Sequence, residues 1–92
     1  MQQMQIELTG PLPMSRDRVI RLVSAASAFS SHVLLEGQNA TINGKSMLGL
    51  LSITRSTGRI FTLITRGEDE VEALSRIASM LTEEEEAVSP KT

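Results

Sequence analysis

The sequence contains no cysteine, tryptophan or tyrosine and only two phenylalanines, Phe29 and Phe61. The lack of thiols excludes disulfides, thiolate nucleophiles and zinc–thiolate sites, and agrees with a reducing compartment. So few aromatics leave no stacking platform for single-stranded nucleic acid. The net charge of -2 provides no bulk attraction to nucleic acid or to an acidic membrane. No apolar run approaches the roughly 20 residues that span a bilayer, and Met1-Gln2-Gln3-Met4 has neither the basic nor the apolar region of a secretion signal. A cytoplasmic protein is expected, with protein or small-anion partners, no direct nucleic-acid binding and no membrane association.

What is present is aliphatic. A chain of 92 residues fits one compact domain burying roughly 60 to 65% of its unfolded surface, and its core must come from Leu, Ile, Val, Met and Ala. Met4, Ile6 and Leu8 alternate with polar residues as in a half-buried strand, which Gly10-Pro11-Leu12-Pro13 ends. Ser15 reads as the N-cap of a helix over about 16–28, with Val19, Leu22, Val23 and Ala26 on one face and Arg16, Arg18 and Arg21 largely off it. His32–Glu36 and Ala40–Asn43 flank Gly37-Gln38-Asn39 as a hairpin. Ser46 opens a short helix, Ser56-Thr57-Gly58 makes a turn and Ile60–Thr65 forms a strand. A last helix follows Gly67, with acidic residues in its first turn and Val71, Leu74, Ile77, Ala78 and Leu81 inward. This order predicts an α+β fold with helices over one face of a four-stranded sheet. The domain is expected over residues 1–84, and 85–92 as a solvated tail. Consecutive carboxylates at Glu83–Glu86 do not converge, so neither metal nor cofactor is expected.

Chemistry concentrates in Asn43-Gly44-Lys45-Ser46-Met47-Leu48-Gly49-Leu50-Leu51-Ser52. The Ser46 hydroxyl can satisfy a first-turn N–H, and a phosphate there would face the positive end of the helix dipole. Met47, Leu48, Leu50 and Leu51 cannot all share one stripe of so short a helix, so part of this set is left to dock a partner. Gly44-Lys45-Ser46 resembles the end of a phosphate-binding P-loop, but Asn39 stands where that pattern needs its first glycine. His32 has no neighbouring Cys, second His or fixed-spacing carboxylate, which suits a surface role better than acid–base or phosphoacceptor work.

Several segments in register resemble the HPr family, the small histidine-containing phosphocarriers of the bacterial sugar phosphotransferase system, and within it the Crh-like regulatory branch. From about Ala25 to Leu81, the pattern Asn43-x-Lys45-Ser46-x-x-Gly49-Leu50-x-Ser52 resembles the family's regulatory serine motif. Ser56-Thr57-Gly58, Thr62-Leu63-Ile64 and Gly67-Glu68-Asp69-Glu70-x-Glu72-Ala73-Leu74 follow in the family's order. The resemblance implies an open-faced β-sandwich, an antiparallel four-stranded sheet covered on one face by three helices. It also implies phosphorylation of Ser46 by an ATP-dependent HPr kinase.

The family's active loop carries Gly, an apolar residue, the phosphoacceptor His, Ala, Arg and Pro, whereas this chain has Pro13-Met14-Ser15-Arg16-Asp17-Arg18. Counting back without gaps from Phe29 puts Ser15 at the histidine's position, Asp17 at the arginine's and Arg18 at the proline's. Counting forward from Gly10 puts Leu12 there and demands an insertion. A serine phosphate is a stable ester and a poor relay, and Asp17 would repel an incoming phosphate. The resemblance therefore implies a degenerate, non-catalytic regulator. Phosphorylated at Ser46, it would dock a catabolite-control transcription regulator or a metabolic enzyme through Met47, Leu48 and Leu51. Arg16 and Arg18 would pair with the phosphate or the partner, and HPr kinase/phosphorylase would set the state. A monomer or weak homodimer is expected. Two alternatives are a phosphorylation-independent interaction module and a phosphocarrier using Ser15 or His32.

Overall fold

The computed structural model describes residues 1–82, so the expected tail and Glu83–Glu86 lie outside the described residues. The element order is β1 (Gln2–Glu7), α1 (Arg16–Ser27), β2 (His32–Glu36), β3 (Thr41–Asn43), α2 (Met47–Leu51), a 3-10 turn (Arg55–Thr57), β4 (Ile60–Arg66) and α3 (Glu70–Thr82). The strands form one antiparallel sheet in the order β1-β4-β2-β3. This is the expected α+β open-faced sandwich.

The period-two pattern of the strands decides which face is covered. Ile6, Val33, Leu35, Ile42, Phe61 and Leu63 are buried and form one core with Val19, Leu22 and Ala26 of α1, Leu50 of α2 and Ile77 and Leu81 of α3, and Thr65 is buried on the same face. The alternate residues, among them Gln3, Gln5 and Glu36, lie on the open face. At roughly 25 cal/mol per Å² of apolar surface, burial of the aliphatic stripes supplies most of the driving force that a small domain needs.

Three expectations about burial are corrected. Met4 is 42% exposed because β1 is an edge strand, with a sheet neighbour on one side only. Val71 is 62% exposed: α3 turns Ala73, Ile77, Ala78 and Leu81 inward, and Val71 lies at the margin of that stripe in the first turn. Arg18, placed largely off the apolar face of α1, is buried with 7% of its surface exposed.

Two buried hydroxyls are satisfied by bonds that tie the start of α3 to β4 and the turn before it to the α1–β2 connection. Thr65 Oγ1 donates to the Glu70 carbonyl (2.7 Å), and Ser31 Oγ donates to the Asp69 carboxylate (2.5 Å). Gly67 lets the β4–α3 turn pass close to the α1–β2 connection, with φ +151° and a position where a Cβ would lie 2.7 Å from Ser31 Cα.

Candidate regulatory site around Ser46

Strand β3 ends in a turn that presents Ser46. Asn43 Oδ1 accepts from the Lys45 N–H (2.8 Å), and the Asn43 carbonyl accepts from the Ser46 N–H (3.0 Å). Ser46 Oγ then accepts from the Gly49 N–H (3.0 Å), the N-cap geometry expected from its side chain. Gly49 lets α2 lie close to β3, since a Cβ there would approach Ile42 Cγ2 to 3.1 Å. Of the apolar residues of α2, Leu50 is buried, Met47 and Leu51 are half-buried against the core, and Leu48 is 81% exposed. The expected docking set Met47, Leu48 and Leu51 is thus one projecting side chain with two flanks, beside a half-buried serine.

The loop before α1 is arranged differently from the expectation for its cations. Ser15 is exposed and caps α1, accepting from the Arg18 N–H (3.1 Å). Arg16 is exposed. Arg18 turns inward, donating from Nη1 to the Thr9 carbonyl (2.5 Å) and from Nη2 to the carbonyls of Leu81 (3.1 Å) and Met80 (3.4 Å). The last turn of α3 has no basic residue of its own, so Arg18 brings a positive charge to the negative end of that helix. Its guanidinium is committed there, which corrects its expected role as a docking cation and leaves Arg16 as the exposed member of the pair.

Lys45 does for α1 what Arg18 does for α3. The last turn of α1 also lacks a basic residue, and Lys45 Nζ donates to the Phe29 carbonyl just beyond it (2.9 Å). From the other side, the Asp69 carboxylate accepts from the N–H groups of Ser30 and Ser31 (3.0 Å each) and from Ser31 Oγ. The Ser31 hydroxyl, with the backbone bonds adding to it, holds the Asp69 carboxyl down to about 2, against an ordinary value near 3.8. Glu70 is also lowered, chiefly by the Gly67 N–H, with the N-terminal ammonium adding to it.

His32 is exposed at the start of β2, opposite Arg66, on the open face of the sheet. Ser15 belongs to the helical side, so the fold does not bring these two candidate acceptors together. Among the described residues, no group of His, Asp or Glu gathers where it could hold a metal ion. Sequence reasoning missed both cationic caps: their acceptors are backbone carbonyls, which carry no residue-type signature.

A family model described as the PTS HPr component phosphorylation site matches residues 5–83. The chain belongs to the HPr family. It is 47% identical over 62 residues to the HPr-like protein Crh of Bacillus subtilis (strain 168), a match that covers 67% of this chain and 73% of that relative. A Phosphocarrier protein HPr from Lysinibacillus sphaericus is 32% identical over 83 residues, covering 90% of this chain and 94% of that one. Among solved structures, HPr-C-His from Thermoanaerobacter tengcongensis superposes with a TM-score of 0.79 at 27% identity, each chain covered over 100%. The crystal structure of Bacillus subtilis Crh, described as a domain-swapped, intertwined dimer, gives 0.68 at 37% identity, covering 88% of this chain and 93% of that one. HPr and Crh are phosphocarrier and regulatory proteins rather than catalysts in the usual sense. This HPr-family chain has no histidine in the segment Gly10–Arg18 that precedes and opens α1.

Proposed function

We propose that this HPr-family protein is a non-catalytic, Crh-like regulator in the phosphotransferase and carbon catabolite control network of the cytoplasm, switched by phosphorylation at Ser46. The observation that carries the reading is the pairing of Ser46, half-buried at the head of α2, with Leu48, projecting from the first turn of that helix at 81% exposure. Phosphate on Oγ would add about -1.5 to -2 charge and three acceptor oxygens beside that apolar contact. A transcription regulator or metabolic enzyme with an apolar pocket and a cationic rim would then read both features together. Arg16 contributes to docking as an exposed cation, and Met47 and Leu51 frame Leu48. Ser15 at the histidine's position supports regulation over relay, since its oxygen ester would hold a phosphoryl group too firmly to pass it on.

The test is intact mass after incubation with ATP and a bacterial HPr kinase. Addition of one phosphate to the wild type, and none to Ser46→Ala, is the expected result. No phosphate on the wild type while an HPr control is modified overturns the switch, and favours a module that docks without phosphorylation.

A further inference from the structure

With Arg18 committed to α3, a phosphate on Ser46 needs another counter-ion. The fold holds one on the preceding residue. The Lys45 backbone is fixed by its bond to Asn43 Oδ1, so its side chain swings from a fixed point, and its ammonium rests on a neutral acceptor, the Phe29 carbonyl, at 2.9 Å. Hydrogen bonds from a cation to an anion are roughly twice as strong as those between neutral partners, and the lysine stem is flexible enough to re-aim its head. A dianion placed on the adjacent residue outcompetes a carbonyl for that ammonium.

We infer that Lys45 is the phosphate-pairing residue of the Ser46 site, and that its transfer from the Phe29 carbonyl to the phosphate loosens one side of the α1–β2 connection. The inference rests on the proposed phosphorylation of Ser46. Its consequence is directional. That connection has two clamps, Lys45 on Phe29 and Asp69 on Ser30 and Ser31, and the phosphate withdraws only the first. A charge on α2 is thereby felt at the C-terminal end of α1, which loses its borrowed cation. Around the site, α1 packs against α2 and carries Arg16, Asp17 and Arg21 at exposed positions. Arg16 and Arg21 are therefore the competing counter-ions, and the test has to separate them from Lys45.

Isotope-labelled protein with phosphoserine installed at position 46 during translation allows this to be tested without any kinase. A phosphorus NMR titration reads the second ionisation of the phosphate, and carbon NMR reads the Phe29 carbonyl. The expected result is a phosphate ionisation about 0.5 pH unit lower in the wild type than in Lys45→Met, restored by Lys45→Arg and unaffected by Arg16→Met or Arg21→Met. The Phe29 carbonyl resonance should move on phosphorylation in the wild type and stay put in Lys45→Met. Equal phosphate titrations in wild type and Lys45→Met, an effect confined to Arg16→Met or Arg21→Met, or an unmoved Phe29 carbonyl overturns the inference. Failure of the kinase assay with these shifts present removes the proposed switch and leaves Lys45 as the phosphate's partner.

Discussion

Replacing Arg18 by Met should cost about 2 kcal/mol of folding stability, a cost that the same change at the exposed Arg16 does not carry. The substitution keeps the aliphatic stem and removes the guanidinium. Three acceptors are affected: the carbonyls of Thr9, Leu81 and Met80, at 2.5, 3.1 and 3.4 Å. Leu81 is the least harmed, because its carbonyl also accepts from the Thr9 N–H (3.1 Å). A hydrogen bond to a charged group contributes about 1.5–3 kcal/mol and a cation at a helix C-terminus about 0.3–1 kcal/mol. Relief of guanidinium desolvation offsets part of that sum, leaving a net loss of about 2 kcal/mol, or roughly 8 to 16 °C in Tm for a domain of this size. The chain has neither tryptophan nor tyrosine, so the assay is urea unfolding followed by far-ultraviolet circular dichroism. The midpoint should fall with an unchanged slope. Arg16→Met, at an exposed position two residues away, should stay within about 0.5 kcal/mol of wild type. Equal stability of the two variants would refute the assignment of Arg18 to the end of α3.

Asp69 makes a pH-dependent contribution whose sign follows from its lowered ionisation. Its folded-state value of about 2 lies below the ordinary 3.8, so its stabilisation is complete above about pH 4 and is lost as pH falls through about 2. The stability gap between wild type and Asp69→Asn should narrow over that window, and a gap constant from pH 5 to pH 2 would contradict the clamp. Gly67→Ala meets Ser31 Cα at 2.7 Å with φ +151°, whereas Gly58→Ala has φ +83° and nothing within 4 Å. Denaturant unfolding should show a loss of about 1 kcal/mol for Gly58→Ala from backbone strain alone, and clearly more for Gly67→Ala. Leu48→Lys should leave stability within about 0.5 kcal/mol and abolish partner capture measured by calorimetry, while Leu50→Ala should cost about 2–5 kcal/mol. Retained partner affinity in Leu48→Lys would remove that side chain from the docking surface.

Much of the architecture was legible because burial is periodic. Alternation at Ile6 and Leu8, and from Ile60 to Thr65, defined strands, and the spacing of Val19, Leu22 and Ala26 defined the buried stripe of α1. The same reasoning misjudged Met4 and Val71. Periodicity says which residues share a face, but not how far the neighbouring layer extends over an edge strand or a first turn. The Ser46 cap was legible for another reason: its acceptor and donor are three residues apart, within the reach of a local pattern.

The sequence by itself determined the layer order, the inward faces away from their margins, the two serine caps and membership of the HPr family, all of which are encoded in short windows and their spacing. Tertiary structure alone decided what the buried and clamping charges do. Arg18 finds acceptors 62 and 63 residues away, Lys45 one that is 16 residues away, and Asp69 meets Ser30 and Ser31 across 39 and 38 residues. A long, flexible cation pairs with whichever chain end folds beside it, and the carbonyls it meets are common to every residue. Such a partnership leaves no mark in composition, period or spacing until the helix ends have been brought together.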